Sequence, residues 1–104
     1  IALGTNGPVE ADDVAQIMEL VGNRQVYWVN VHVPTRDWES EVNDELTQAA
    51  TQYSNLKIID WHNYSAENPE WYSDDDIHPT EAGSKELVTY VAKDILRNEL
   101  TKAK

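Results

Sequence analysis

Between residues 74 and 83 the sequence reads Asp-Asp-Asp-Ile-His-Pro-Thr-Glu-Ala-Gly, which sets Asp75 three positions ahead of His78. A carboxylate at that spacing can reach back to Nδ1–H, fix the tautomer and leave Nε2 free to take a proton from a nucleophile. Pro79 locks its own φ and steers His78 away from α geometry, so the imidazole sits on a defined, non-helical backbone. Thr80 then serves as N-cap for the long amphipathic run that follows. A bland reading competes: an acidic, solvated turn with one incidental histidine. Short motifs have many false positives, so the spacing alone does not separate the two.

The chain of 104 residues has room for one modest domain and one core. A hydrophobic content of 40% and four Trp argue for a folded globule rather than a disordered acidic tail. A formal charge of −11 repels phosphate and argues against nucleic-acid binding. No apolar run approaches the roughly 20 residues that span a bilayer, and no signal peptide is visible. Zero cysteines exclude disulfides and thiol chemistry without fixing the compartment.

Ile1-Ala2-Leu3 reads as the last residues of a buried strand, so the chain is expected to be a fragment of a larger domain. Gly4-Thr5-Asn6-Gly7-Pro8 follows as a tight turn. Asn6 there is either a turn former or an amide aimed into a site, as in an oxyanion hole. Val14, Ile17, Met18 and Val21 form a helical stripe, with Asp12 or Asp13 as cap and Gly22 at C′. Val26 to Val33 is β-branched and aromatic, as suits a strand covered on both faces. On it Asn30, His32 and Trp28 share a face, and His32 reads as a satisfied core or rim histidine. Asp37 is a candidate cap for a second helix with the stripe Trp38, Val42, Leu46, Ala49 and Tyr53. Leu56 to Asp60 is a short third strand, and an aromatic, acidic loop runs from Trp61 to Asp76. A third helix spans Thr80 to about Arg97, with Leu87, Val88, Val91, Ile95 and Leu96 inward.

Alternation of strands and helices implies a parallel sheet with right-handed crossovers and helices on both faces, a three-layer α/β/α arrangement. Ligands gather at the carboxyl ends of such strands. The Gly4–Pro8 turn, Pro34–Asp37 and the Trp61–His78 loop all fall at those ends. That convergence favours the functional reading of Asp75 and His78.

An Asp–His pair with an Asn-bearing turn lacks only a nucleophile to be an acyl-transfer site. Ser40 and Ser84 lie in helices, and Ser54 lies at the opposite end of the sheet. Ser65 and Ser73 lack the glycine-bracketed elbow that exposes a nucleophile. None is convincing. Metal binding by His32, His62 and His78 is a weak rival, because no ligand spacing such as His-x-x-x-His occurs.

With these residues in place, the sequence resembles the SGNH (GDSL-like) hydrolases and acyltransferases. Asp75-x-x-His78 is similar to the family's last block, which completes a catalytic triad. Gly4-Thr5-Asn6-Gly7 is similar to its third block, usually Gly-x-Asn-Asp, whose Asn donates to the oxyanion. Gly7 in place of Asp resembles the extracytoplasmic domain of peptidoglycan O-acetyltransferases. So do Asn30-Val31-His32-Val33-Pro34 with Trp38, Asp60-Trp61 and the final His-Pro-Thr-Glu-Ala-Gly.

The resemblance implies a flavodoxin-like SGNH fold, present as a partial domain of about three strands and three helices. Residues 1–104 would form the C-terminal part of one such domain, whose Gly-Asp-Ser nucleophile block and oxyanion glycine lie upstream. It further implies His78 as general base and acid, Asp75 as its orienter and Asn6 as an oxyanion donor, with no metal or organic cofactor. The substrate would be a carbohydrate or small ester, acetylated or deacetylated at the cell wall. Location would be extracytoplasmic, at the cell surface, tethered through a membrane domain outside this chain. The partner implied is the serine-bearing half, and the exposed first strand could also self-associate. The alternatives are an esterase or deacetylase on another ester, and a non-catalytic module with vestigial triad residues. The isolated chain is expected to be inactive.

Overall fold

Apolar periodicity sets the helices, and a computed structural model describes how they pack for residues 1–103. Helix α1 (Ala11–Val21) buries Val14 and Met18 and leaves Ile17 and Val21 partly covered. Glu10 occupies the cap position, and Asp13 acts from inside the first turn by accepting from the Glu10 N–H at 3.0 Å. Gly22, at φ +62°, ends the helix and donates its N–H to the Met18 carbonyl.

Strand β1 (Val26–Val29) pairs in parallel with β2 (Leu56–Ile59), with Trp28 opposite Ile58. Their alternation sends Val26 and Trp28 into a core shared with α1 and with α2 (Glu39–Gln52), which buries Val42, Leu46 and Ala49. Tyr27 points the other way, and its hydroxyl bonds Glu99 and Asn98 on α4 (Glu81–Ala103). Helices therefore cover both faces of a mixed α/β fold with a two-stranded parallel sheet. Trp28 is fully buried, and its indole N–H has no partner among the described residues. Such an orphan costs about 1–3 kcal/mol.

Several expectations need correction. The strand expected over Val26–Val33 stops at Val29, although Val31 and Val33 stay buried. Beyond Asn30 the backbone bonds to side chains of α2 instead of a neighbouring strand. Asn43 accepts from the Val31 N–H at 2.9 Å and donates to its carbonyl at 2.8 Å, while Glu39 accepts from the Val33 N–H. These side chains satisfy the buried backbone that a longer ladder would otherwise serve. Trp38, not Asp37, precedes α2 at the cap. Its indole donates to the Gly4 carbonyl at 2.9 Å, which pins the glycine turn against the helix. Gly4 has φ +116°, and a Cβ there would lie 2.8 Å from a Val42 methyl, so this position requires glycine.

Ile1 and Leu3 are exposed rather than buried, and among the described residues no third strand forms. Ile1 nevertheless donates to the Tyr27 carbonyl at 2.7 Å and accepts from the Val29 N–H at 2.8 Å, the bond pattern of a parallel neighbour. After β2, Asp60 caps a short helix α3 (Trp61–Ser65), and a 3₁₀ turn follows at Pro69–Trp71. Part of the expected Trp61–Asp76 loop is thus helical. Among the described residues there are four α-helices, not three. Thr80 does cap α4, accepting from the Gly83 N–H at 3.1 Å, and the helix continues past Arg97 to Ala103. Val88 and Leu96, expected inward, are exposed. A two-stranded sheet cannot cover an apolar arc that wide, so only Leu87, Val91 and Ile95 are partly buried.

Candidate active site

Residues 72–79 fold back on themselves as a loop closed at its base. Tyr72 and Pro79 form an isolated antiparallel bridge, Ser73 donates to the His78 carbonyl at 2.8 Å, and Thr80 donates to that of Trp71 at 2.9 Å. Tyr72 and Ile77 are buried and anchor the loop from below. Gly83 lies against it so closely that a Cβ would stand 1.9 Å from the Trp71 carbonyl oxygen. At the tip, Asp76 takes φ +59°, a left-handed conformation that Asp tolerates better than most residues.

This loop brings Asp75 and His78 together. Asp75 Oδ2 lies 2.5 Å from His78 Nδ1. Its Oδ1 accepts from the backbone N–H of both Ile77 and His78 and from the Ser73 hydroxyl, each at 2.9 Å. The bond from the His78 ring, the two backbone donors and the Ser73 hydroxyl hold the Asp75 carboxyl well below the usual carboxylate range. A carboxylate only accepts, so Nδ1 carries the proton and the neutral imidazole presents a bare Nε2. Among the described residues nothing bonds that nitrogen, and the His78 side chain is 70% exposed.

His78 stands beside a cavity of about 210 Å³ that Thr5, His32, Tyr72 and Ile77 also line. Asn6 does not line it. This residue is exposed and faces the adjoining groove of about 510 Å³, with Leu3, Pro8 and Leu20. The structure thus joins Asp75 to His78 and sets the Asn6 turn one residue away from their cavity. Ser65 is buried, donating to the Trp61 carbonyl at 2.8 Å and meeting the Tyr72 hydroxyl at 2.5 Å. Ser73 is spent on Asp75. Neither is poised against Nε2.

A second acid–imidazole pair, missed by sequence reasoning, lies at the same ends of the strands. His62 Nε2 is 3.2 Å from Glu39 Oε1, and its Nδ1 is 3.3 Å from Asn63 Oδ1. Asn30 ties this cluster together, donating to Asp60 at 2.9 Å and accepting from the His62 N–H at 2.7 Å. Burial pushes the Asp60 carboxyl up, but the bonds from Asn30 and Asn63 outweigh it, and the group lies below its ordinary range. The available signal was Glu39 and Asn43 four apart, two polar residues on one face beside a strand end. His32 and His62 have ring centres 6.0 Å apart, and among the described residues no three His, Cys, Asp or Glu groups are placed to share a metal.

No family model matches the chain. It is 37% identical over 93 residues to the O-acetyltransferase OatA of Staphylococcus aureus, covering 89% of the chain and 15% of that protein. The Bacillus subtilis protein YrhL is 34% identical over 93 residues, with 89% and 14% covered. The peptidoglycan O-acetyltransferase OatA of Listeria monocytogenes is 33% identical over 88 residues, with 85% and 14% covered. The chain spans 14–15% of the length of these relatives. Over most of its own length, the chain is a homologue of one segment of proteins named O-acetyltransferases, those of B. subtilis and L. monocytogenes named for peptidoglycan.

Proposed function

We propose that this chain supplies the acid–base part of an SGNH-type serine acyltransferase that moves an acetyl group onto a hydroxyl of cell-wall peptidoglycan. Residues 1–104 would be the C-terminal part of a single domain, and the serine would come from an upstream segment. The observation that carries this reading is the Asp75–His78 pair, at 2.5 Å with Nε2 unengaged. The likeness to O-acetyltransferases adds the reaction class.

In the first half-reaction His78 Nε2 takes the serine hydroxyl proton as Oγ attacks the acetyl carbonyl. Asn6 would donate to the oxyanion after a modest movement of its turn toward the cavity. The tetrahedral intermediate collapses, the donor's leaving group departs with the proton from Nε2, and an acetyl-serine remains. An acceptor sugar hydroxyl then gives its proton to Nε2 and attacks the acetyl carbon, and the serine oxygen leaves and recovers that proton. Throughout, Asp75 stays ionised, holds the imidazole by Nδ1–H and stabilises the imidazolium. The reaction runs outside the cytoplasm, where peptidoglycan is.

A chimaera tests this reading: this chain replaces the 93-residue match in the S. aureus relative. O-acetyl transfer should be retained and should fall on the order of 10⁴-fold in Asp75→Asn, where the ring loses its orienting charge. Full activity in that variant, with the protein folded, would remove the triad reading.

A further inference from the structure

His32 has no role in the chemistry above, yet three observations tie it to the loop that carries Asp75 and His78. Its Nδ1 lies 3.1 Å from the Asp76 carbonyl oxygen. Its ring stacks on Tyr72, with centres 4.2 Å apart and planes 21° from parallel. It also lines the cavity beside His78. A carbonyl only accepts, so His32 donates from Nδ1. The carbonyl it holds belongs to the one non-glycine residue with positive φ among those described.

We propose that His32 is a positioning residue for the Asp75–His78 pair. This rests on the acyl-transfer reading above. Asp76 follows Asp75 directly and sits in a conformation that its backbone disfavours. Within the loop its N–H donates to Ser73 at 3.0 Å, and its carbonyl is held from outside by His32. The stack on Tyr72 braces the base of the same loop, where Tyr72 bridges Pro79. One side chain from the segment after β1 therefore holds both the tip and the base of the loop that aims Nε2. A displacement of about 1 Å at a reacting group can cost on the order of 10²-fold in rate, so such a hold matters for catalysis.

Two variants separate the donor from the stack. His32→Phe keeps a ring for Tyr72 and loses the donor. His32→Asn loses the ring, but its Nδ2 occupies the same place along the side chain as Nδ1 of histidine. In the 104-residue chain, hydrogen exchange at the Ile77 and His78 amides, both bonded to Asp75, should quicken about fivefold in His32→Phe. The Leu46 amide in the core of α2 should not change, and His32→Asn should return both loop amides toward their original rates. In the chimaera, His32→Phe should lower kcat about tenfold or more with KM unchanged.

Unchanged loop exchange in His32→Phe, equal quickening at Leu46, failure of the Asn variant to restore it, or full kcat would each overturn the proposal. The acyl-transfer reading fails by a different sign. There Asp75→Asn keeps its activity, whatever the exchange rates of the His32 variants.

Discussion

The two acid–imidazole pairs of this molecule, at the same ends of the strands, leave their imidazoles in opposite situations. Asp75 and His78 are three positions apart on one turn, with side chains 46% and 70% exposed. Glu39 and His62 come from different elements, with side chains 21% and 31% exposed. In the first pair the carboxylate holds Nδ1 and the other nitrogen faces open space. In the second, both ring nitrogens face acceptor oxygens, and the Glu39 carboxylate also serves the Val33 N–H. Proximity of acid and imidazole is therefore not the mark of a base. A free second nitrogen is.

The largest effect that tests this contrast is on turnover. In the chimaera, His78→Ala should reduce transfer on the order of 10⁴-fold or more, whereas His62→Ala should cost less than about tenfold per folded molecule. Equal losses would erase the distinction between base and latch. A second test loosens the first pair alone. Gly83→Ala drives a methyl into the Trp71 carbonyl beneath the loop, which costs about 3 kcal/mol in urea unfolding. The α1–α2 side of the core, and with it the Glu39–His62 latch, should keep its hydrogen-exchange pattern in that variant.

How much of this was legible beforehand follows the range of the interactions. Asp75 and His78 are local, and Pro79 fixes the backbone between loop and helix, so their meeting could be read from spacing. The stripes of α1 and α2 were equally plain, since Val14, Met18, Val42, Leu46 and Ala49 repeat at helical intervals and are buried. The early end of β1 was not legible, because Val31 and Val33 look like strand and the side chains that replace the ladder lie on α2. Val88 and Leu96 were misread because periodicity gives the width of an apolar arc, not the width of the surface available to cover it. The Glu39–His62 latch joins residues 23 positions apart, and the polar Glu39–Asn43 face of α2 marks only one side of it.

A smaller effect sharpens the structural side of the comparison. Glu39→Ala strands the N–H of the buried Val33 and should cost about 1–3 kcal/mol in urea melts. Asp75→Ala, on an exposed loop, should move the unfolding midpoint less. If the Asp75 change proves the more destabilising, the roles of the two carboxylates are reversed.

The smallest effect is in acid. The folded Asp75 carboxyl lies below the unfolded value near 3.9, so its contribution to stability is present above that value. That contribution is lost only as pH falls further, through the folded pKa. Carboxyl carbon shifts followed by NMR should show Asp75 ionised at a pH where most exposed carboxylates have taken up protons. Titration together with them would mean that the 2.5 Å bond and its backbone donors do not persist in solution.

The central claim is that His78 takes its proton at Nε2 while Asp75 keeps Nδ1 protonated. Nitrogen-15 NMR of the ring in the 104-residue chain measures this directly. The account predicts a neutral imidazole protonated at Nδ1, with a strongly downfield Nδ1 proton and a bare Nε2. A neutral form protonated at Nε2 would contradict it.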